Sequence, residues 1–231
     1  MNLVEFKNVS KKFGPKIALD NINIKFEKGK IYGLLGPNGS GKTTMIKIIN
    51  GLLQPSDGEI FIHGNKPGIE SKKVISYLPE RTYLDMNMKV SELLQFFKDF
   101  YQDFDESQAL ELLTKLKINT QDKLKNMSKG MKEKVQLVMV MSRKADLYIL
   151  DEPIGGVDPA SRDYILDTIL TNFHEGASII ISTHLISDIE KILDQVIFIN
   201  QGKIVLNEDA DTIRKKKKKT IDKLFREEFK C

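Results

Sequence analysis

Cysteine is almost missing from this 231-residue chain, where Cys231 is the single one. With no partner in the chain it excludes an intrachain disulfide framework and fits a reducing compartment. Long apolar runs are missing too. No stretch approaches the ~20 consecutive apolar residues of a spanning helix. Met1 to Lys7 lacks the basic region and apolar run of a secretory signal. The chain is therefore expected neither to enter nor to cross a membrane by itself. A surplus of one charge is also lacking: 36 Lys and Arg stand against 32 Asp and Glu, a net charge of +4. That balance excludes a general affinity for nucleic acid or membrane founded on charge alone. What is present is a 41% hydrophobic content, enough for a sizeable core.

The most informative stretch runs from Gly36 to Thr44, Gly-Pro-Asn-Gly-Ser-Gly-Lys-Thr-Thr. It fits G-x-x-x-x-G-K-[ST] and lies between the apolar run Ile31 to Leu35 and the helical pattern Met45 to Ile49. Triphosphate chemistry needs these residue types at this spacing. Gly36, Gly39 and Gly41 let the backbone past Pro37 curl until successive N–H groups, those of Asn38 and Ser40 included, face phosphate oxygens. The helix opening near Lys42 adds its N-terminal partial charge. Lys42 would reach the β- and γ-phosphates, Thr43 would ligate a bridging Mg²⁺, and Thr44 would add a phosphate contact.

Either side of this loop the pattern is β. Ile22, Ile24 and Phe26 alternate strictly and predict a half-buried strand, with an earlier strand around Val4 and Phe6. Between them, Ser10 to Pro15 reads as a turn. Its one aromatic, Phe13, either packs at a sheet edge or stacks on a nucleotide base; taken alone, packing is favoured. A turn at Gln54 to Gly58 precedes a strand at Glu59 to Gly64, and His63 at its end reads as an ordinary surface histidine. Val74 to Leu78 is a short strand stopped by Pro79, which makes Glu80, just beyond the strand's end, a candidate site residue. From about Met88 to Arg143 the spacing turns helical. Val90, Leu93, Leu94 and Phe97, then Ala109, Leu112, Leu113 and Leu116, form apolar stripes, with Ser91 and Asp105 as candidate caps. A third helix opens at Met127 to Met131. There Ser128 and Gly130 are equally readable as a cap with a flexible turn or as a phosphate-binding helix start.

Leu147 to Leu150 predicts a buried central strand that delivers Asp151 and Glu152 to its end. Asp151 can hold Mg²⁺ directly or through water, and Glu152 can take a proton from a water attacking a phosphate. Gly155 to Pro159 forms a loop feeding a helix. Ser178 to Ser182 is another buried strand, which delivers His184 to the same edge. The chain closes with two strands around Asn200-Gln201-Gly202, a hairpin by its signals, and a basic run from Arg214 to Lys219.

In this order, Gly36 to Thr44, Tyr77 to Glu80, Met127 to Met131, Leu150 to Pro153, Val157 to Pro159 and Ser182 to His184 resemble the motif set of ABC transporter ATP-binding subunits over nearly the whole chain. The resemblance implies an α/β fold: a phosphate-loop NTPase core sheet flanked by helices, with an N-terminal antiparallel β subdomain and an inserted α-helical subdomain at about 83–143. Residues 1–231 would form one nucleotide-binding domain, with a basic helical tail at 208–231. It implies a Mg²⁺-dependent ATPase acting in a pair, homo- or heterodimeric. Each ATP would lie between the phosphate loop of one subunit and the Ser128 and Gly130 helix start of the other. Phe13 would stack on adenine, which reverses the reading of that residue alone. Asp158 would communicate between sites, Glu152 would be the catalytic base, and His184 would sense the γ-phosphate. The partners implied are separate membrane-spanning permease subunits, with no nucleic acid, and the location implied is cytoplasmic and peripheral on the inner face of the cell membrane. A soluble ABC ATPase acting on DNA or ribosomes is the alternative, but the coiled-coil or zinc-bearing insertions and the doubled nucleotide units of such proteins are not seen.

Two positions depart from the family pattern. Glu80 stands where glutamine is usual; it keeps an oxygen for Mg²⁺ but loses an amide donor and adds negative charge. Lys129-Gly130-Met131 stands where Gly-Gly-Gln is usual. The variant pattern resembles bacterial subunits of export or antimicrobial-peptide defence. The lysines of the basic run read either as a solvated face, the favoured reading, or as a contact with anionic lipid.

Overall fold

Alternation of apolar residues along the first strands builds one sheet, and continuous apolar runs build another. A computed structural model describes residues 2–155, 157–216 and 218–229. Met1, Gly156, Lys217, Lys230 and Cys231 lie outside the described residues. The chain opens with β1 (Asn2–Phe13) and β2 (Lys16–Glu27), an antiparallel hairpin whose turn is only Gly14-Pro15. Ser10 to Phe13, expected as turn, continues β1, because Lys12 and Phe13 find ladder partners in Ile17 and Lys16. Ile22, Ile24 and Phe26 share the buried face, as their spacing predicts.

β3 (Ile31–Leu35) leads into the phosphate loop and α1 (Lys42–Ile49), and β4 (Asp57–Ile62) returns to pair with β1. The three strands form an antiparallel sheet of order β2-β1-β4. His63, just past β4, is half-buried rather than on the open surface: its Nε2 is 3.3 Å from the Asp146 carboxylate, which also takes Lys28 at 2.7 Å.

α2 (Ile69–Val74) and β5 (Ile75–Leu78) precede three helices, α3 (Val90–Phe100), α4 (Glu106–Lys115) and α5 (Lys129–Met141). These bury a core of their own, with Val90, Leu93, Leu94 and Phe97 against Ala109, Leu112, Leu113, Val135 and Val138. Asp105 caps α4 by accepting from the Gln108 N–H at 3.0 Å. Ser91 does not cap α3. Lys89 takes that position, its N–H donating to Glu92 Oε2 at 2.7 Å, so Ser91 falls in the first turn.

β6 (Leu147–Asp151), α6 (Pro159–Asn172), β7 (Ser178–Ser182), α7 (Ile186–Ile189), β8 (Gln195–Asn200), β9 (Lys203–Asp209), α8 (Ala210–Lys216) and α9 (Ile221–Phe229) complete the chain. The main sheet runs β5-β6-β7-β3-β8-β9, parallel except for β9. Gln201 and Gly202 both take positive φ in the β8–β9 turn, as a tight hairpin with right-handed strand twist requires. Buried on both faces, these strands split their side chains by parity. Ile179 and Ile181 enter one core with Tyr148, Leu150 and Phe198, while Ile180 enters the other with Ile149, Ile197 and the β1–β2 residues. The carboxyl ends of β5, β6, β7 and β3, adjacent in the sheet, open at one edge.

Candidate active site

The phosphate loop owes its shape to backbone approach. A Cβ on Gly36 would stand 2.3 Å from the Ile199 carbonyl, and one on Gly41 would stand 2.7 Å from the Ala18 carbonyl at a φ of +119°. Only glycine fits at either position. Gly41 is also the N-cap of α1, and no side chain caps that helix and no acid occupies its first turn. Its first N–H groups are therefore presented to the loop, the arrangement an anion can complete. Ser40 Oγ is buried there without a hydrogen-bond partner.

Lys42 is buried, and its Nζ donates to the carbonyls of Gly36 at 2.6 Å and Pro37 at 3.2 Å. Burial lowers its pKa, opposed by the negative charges of Glu152, Asp151 and Glu80. Asp151 ends β6 beside Ser182 of β7 and is only 3% exposed. Burial raises its pKa; the Ser182 hydroxyl opposes, the neighbouring Glu152 and Glu80 push it further up, and Lys42 opposes. Glu152 sits at φ +54°, fixed by its N–H on the Ser182 carbonyl at 2.7 Å and by the Gly155 N–H on its own carbonyl at 3.1 Å. This left-handed turn brings its carboxylate to Thr183 Oγ1, which donates at 3.1 Å, and to His184 Nδ1 at 3.0 Å.

A cleft of about 930 Å³ gathers these groups. Loop residues Asn38 to Thr44 form its floor, with Glu80, Asp151, Glu152 and His184 on one side and Phe13 at its rim, 46% exposed. Phe13 is thus exposed at the end of β1, with Lys11 Nζ 5.2 Å from its ring centre. Ser128, Gly130 and Asp158 do not line this cleft. Ser128 is exposed at the start of α5, where its Oγ accepts from the Met131 N–H at 3.2 Å, and no atom stands within 4 Å of a Cβ built on Gly130.

Three contributors escaped the reading of motifs. Thr183 holds Glu152, Gln136 of α5 reaches the Pro79 carbonyl at 3.4 Å, and Arg162 of α6 holds the Val157 carbonyl and Asp188. Gln136 carried a signal, a polar residue within the apolar stretch Val135 to Met141. Arg162 carried none, because its partners are a backbone oxygen and a residue 26 positions away.

Among the described residues no cluster of three His, Cys, Asp or Glu is placed to hold a metal alone. Thr43, Asp151 and Glu80 instead offer one hydroxyl and two carboxylates, a donor set that suits a hard cation arriving with phosphate oxygens. The residues fit Mg²⁺ on those terms.

A family model described as ABC transporter matches residues 19–155. The chain belongs to the ABC transporter family. This ABC subunit is 32% identical over 211 residues to the lantibiotic transport ATP-binding protein SrtF of Streptococcus pyogenes, covering 90% of this chain and 92% of that one. It is also 32% identical over 211 residues to the SkfA peptide export ATP-binding protein SkfE of Bacillus subtilis, covering 89% and 88%. A solved structure described as the ATP binding subunit of an ABC transporter superimposes with a TM-score of 0.88 at 28% identity, covering 97% of this chain and 98% of the other. The fold, with its antiparallel N-terminal sheet, is that of the ABC ATP-binding cassette.

Proposed function

We propose that this subunit binds ATP in a site completed by a second nucleotide-binding subunit, and that hydrolysis reopens the pair to drive a membrane-spanning permease. The supporting observation is a division of labour. The phosphate loop, Glu80, Asp151, Glu152 and His184 share one cleft, which Lys129, Lys132 and Glu133 of α5 also line, whereas the exposed Ser128 and Gly130 at the start of α5 do not line it. A helix start whose hydroxyl and glycine stand outside the cleft of their own phosphate loop is suited to the γ-phosphate of a partner.

Within one site, Gly36 to Thr44 hold the phosphates, Lys42 exchanges its loop carbonyls for β- and γ-oxygens, and Phe13 stacks on adenine. Mg²⁺ would be held by Thr43, Asp151 and Glu80, and when bound it neutralises charge on the phosphate oxygens. Glu152 accepts the proton of the water that attacks the γ-phosphorus while the bond to the β-phosphate oxygen breaks. His184 divides its hydrogen bonding between Glu152 and the γ-phosphate, and Asp158 lies on the loop that faces the partner. Differential contact with the γ-phosphate, present in ATP and lost in ADP, biases the closed pair. Export of a peptide-like substrate is the direction suggested by the names of SrtF and SkfE. On this reading residues 83–143 act as a helical subdomain of a single nucleotide-binding domain, peripheral to the cytoplasmic face of the membrane.

The test separates binding from pairing. Lys42→Ala should lose ATP binding, while Ser128→Ala should bind ATP as the parent does and fail to dimerise with it, measured by nucleotide titration and light scattering. Specific ATPase activity should rise with subunit concentration. A concentration-independent rate per subunit sinks the shared site.

A further inference from the structure

We infer that Arg162 is a positioning residue that locks the loop bearing Asp158 to the segment bearing His184, so that the two respond to nucleotide as one unit. This rests on the two-subunit reading above. The guanidinium reaches in both directions. Its Nε donates to the Val157 carbonyl at 3.2 Å, on the residue immediately before Asp158. Its Nη1 donates to Asp188 Oδ2 at 3.1 Å, on α7, four residues after His184. The Arg162 backbone N–H closes the first turn of α6 on the Asp158 carbonyl at 3.1 Å.

Both side chains of the ion pair are less than one-third exposed, at 27% and 29%. The segments they join rest on a common apolar floor, since Val157, Ile165, Ile186 and Ile189 belong to one core. The far end of the link meets the chemistry directly. The Leu185 N–H donates to Thr183 Oγ1 at 3.1 Å, Thr183 donates to Glu152, and His184 Nδ1 contacts Glu152 at 3.0 Å. A displacement of the Asp158 loop by a partner subunit would thus be carried through Arg162 and Asp188 to the hydrogen bonds that orient Glu152. A planar fork bonding two fixed oxygens transmits such a displacement better than a single flexible contact. Lysine could pair with Asp188 but would not hold both oxygens with a rigid geometry.

The experiment compares Arg162→Ala, Asp188→Asn, their double variant and Arg162→Lys with the parent. Expected is a fall in kcat on the order of 10- to 100-fold with KM for ATP unchanged, a double variant no slower than the slower single one, and partial recovery in Arg162→Lys. Asp188→Asn preserves shape and guards against simple unfolding. A second readout needs neither nucleotide nor partner: in Asp188→Asn, amide hydrogen exchange at 157–162 should accelerate although the substitution is on α7. Unchanged kcat in the single variants, additive losses in the double, or unchanged exchange at 157–162 would each overturn the link. A concentration-independent rate in the parent defeats the shared site instead, and the exchange readout still decides whether Arg162 joins the two segments.

Discussion

Asp151 has been taken out of water, at 3% exposure and beside two further carboxylates. Its pKa is raised above the usual 3.8, so the folded state holds a proton more tightly than the unfolded chain. Stability tied to this group is therefore greatest when it is protonated, and is lost as pH climbs from the unfolded value through the folded one. Asp151→Asn removes that loss. In chelator and without nucleotide, its melting temperature should exceed the parent's at pH 7 by roughly 2–4 °C, the shift that about 1 kcal/mol produces at this size. The gain should vanish near pH 3.5. ATP hydrolysis should fall by on the order of 100-fold or more, and equal melting curves at pH 7 would refute the account. At this scale the phosphate loop was legible because its glycines, lysine and threonine are required in a fixed local order. The Glu152–Thr183 bond was not, because it depends on where β6 and β7 end relative to each other.

Between elements, one side chain makes several of the bonds that join the helical insertion to the main sheet. Arg143, immediately after α5 and 3% exposed, donates to the Ile75 carbonyl at 2.6 Å and to the Lys73 carbonyl at 2.7 Å. It also forks onto Asp103 at 3.1 and 3.0 Å and lies 3.8 Å from the Tyr101 ring centre. Truncating one member of a buried charged pair leaves the other members uncompensated, at a cost of about 3–5 kcal/mol. Arg143→Ala should lower the melting temperature by roughly 10 °C, with Arg143→Lys intermediate; calorimetry within 2 °C of the parent, on the order of 1 kcal/mol or less, would remove Arg143 from this role. Helices α3 to α5 were readable from their apolar stripes, and Asp105 from cap chemistry. Ser91 misled because it is a good cap residue two positions too late: the N-cap is Lys89, and the Ser91 N–H already donates to the Thr120 carbonyl at 2.8 Å. The end of β1 was misjudged because polar residues at Ser10 to Lys12 conceal a ladder supplied by β2.

For the molecule as a whole, no helix among the described residues is long and apolar enough to cross a membrane. Three of the tail's described basic side chains have acidic partners close at hand. Lys215 pairs with Asp211 at 2.9 Å, Lys219 pairs with Glu227, and Arg214 is held by Asp211 and by the backbone carbonyls of Glu190 and Leu193. α9 turns its aromatic side inward, Phe225 and Phe229 packing on Phe198 of β8. Replacing Lys215, Lys218 and Lys219 with Gln should leave sedimentation with phosphatidylglycerol vesicles unchanged. A lipid contact would instead weaken it by about 1 kcal/mol for each lysine. The charge run was visible in the sequence, but its acidic partners come from both sides of it along the chain.

Lys42 carries an internal pair of acceptors, the Gly36 and Pro37 carbonyls that hold its ammonium. On the proposed reading, nucleotide would enter by exchange, oxygen for oxygen, and its affinity would reflect the difference between two sets of acceptors.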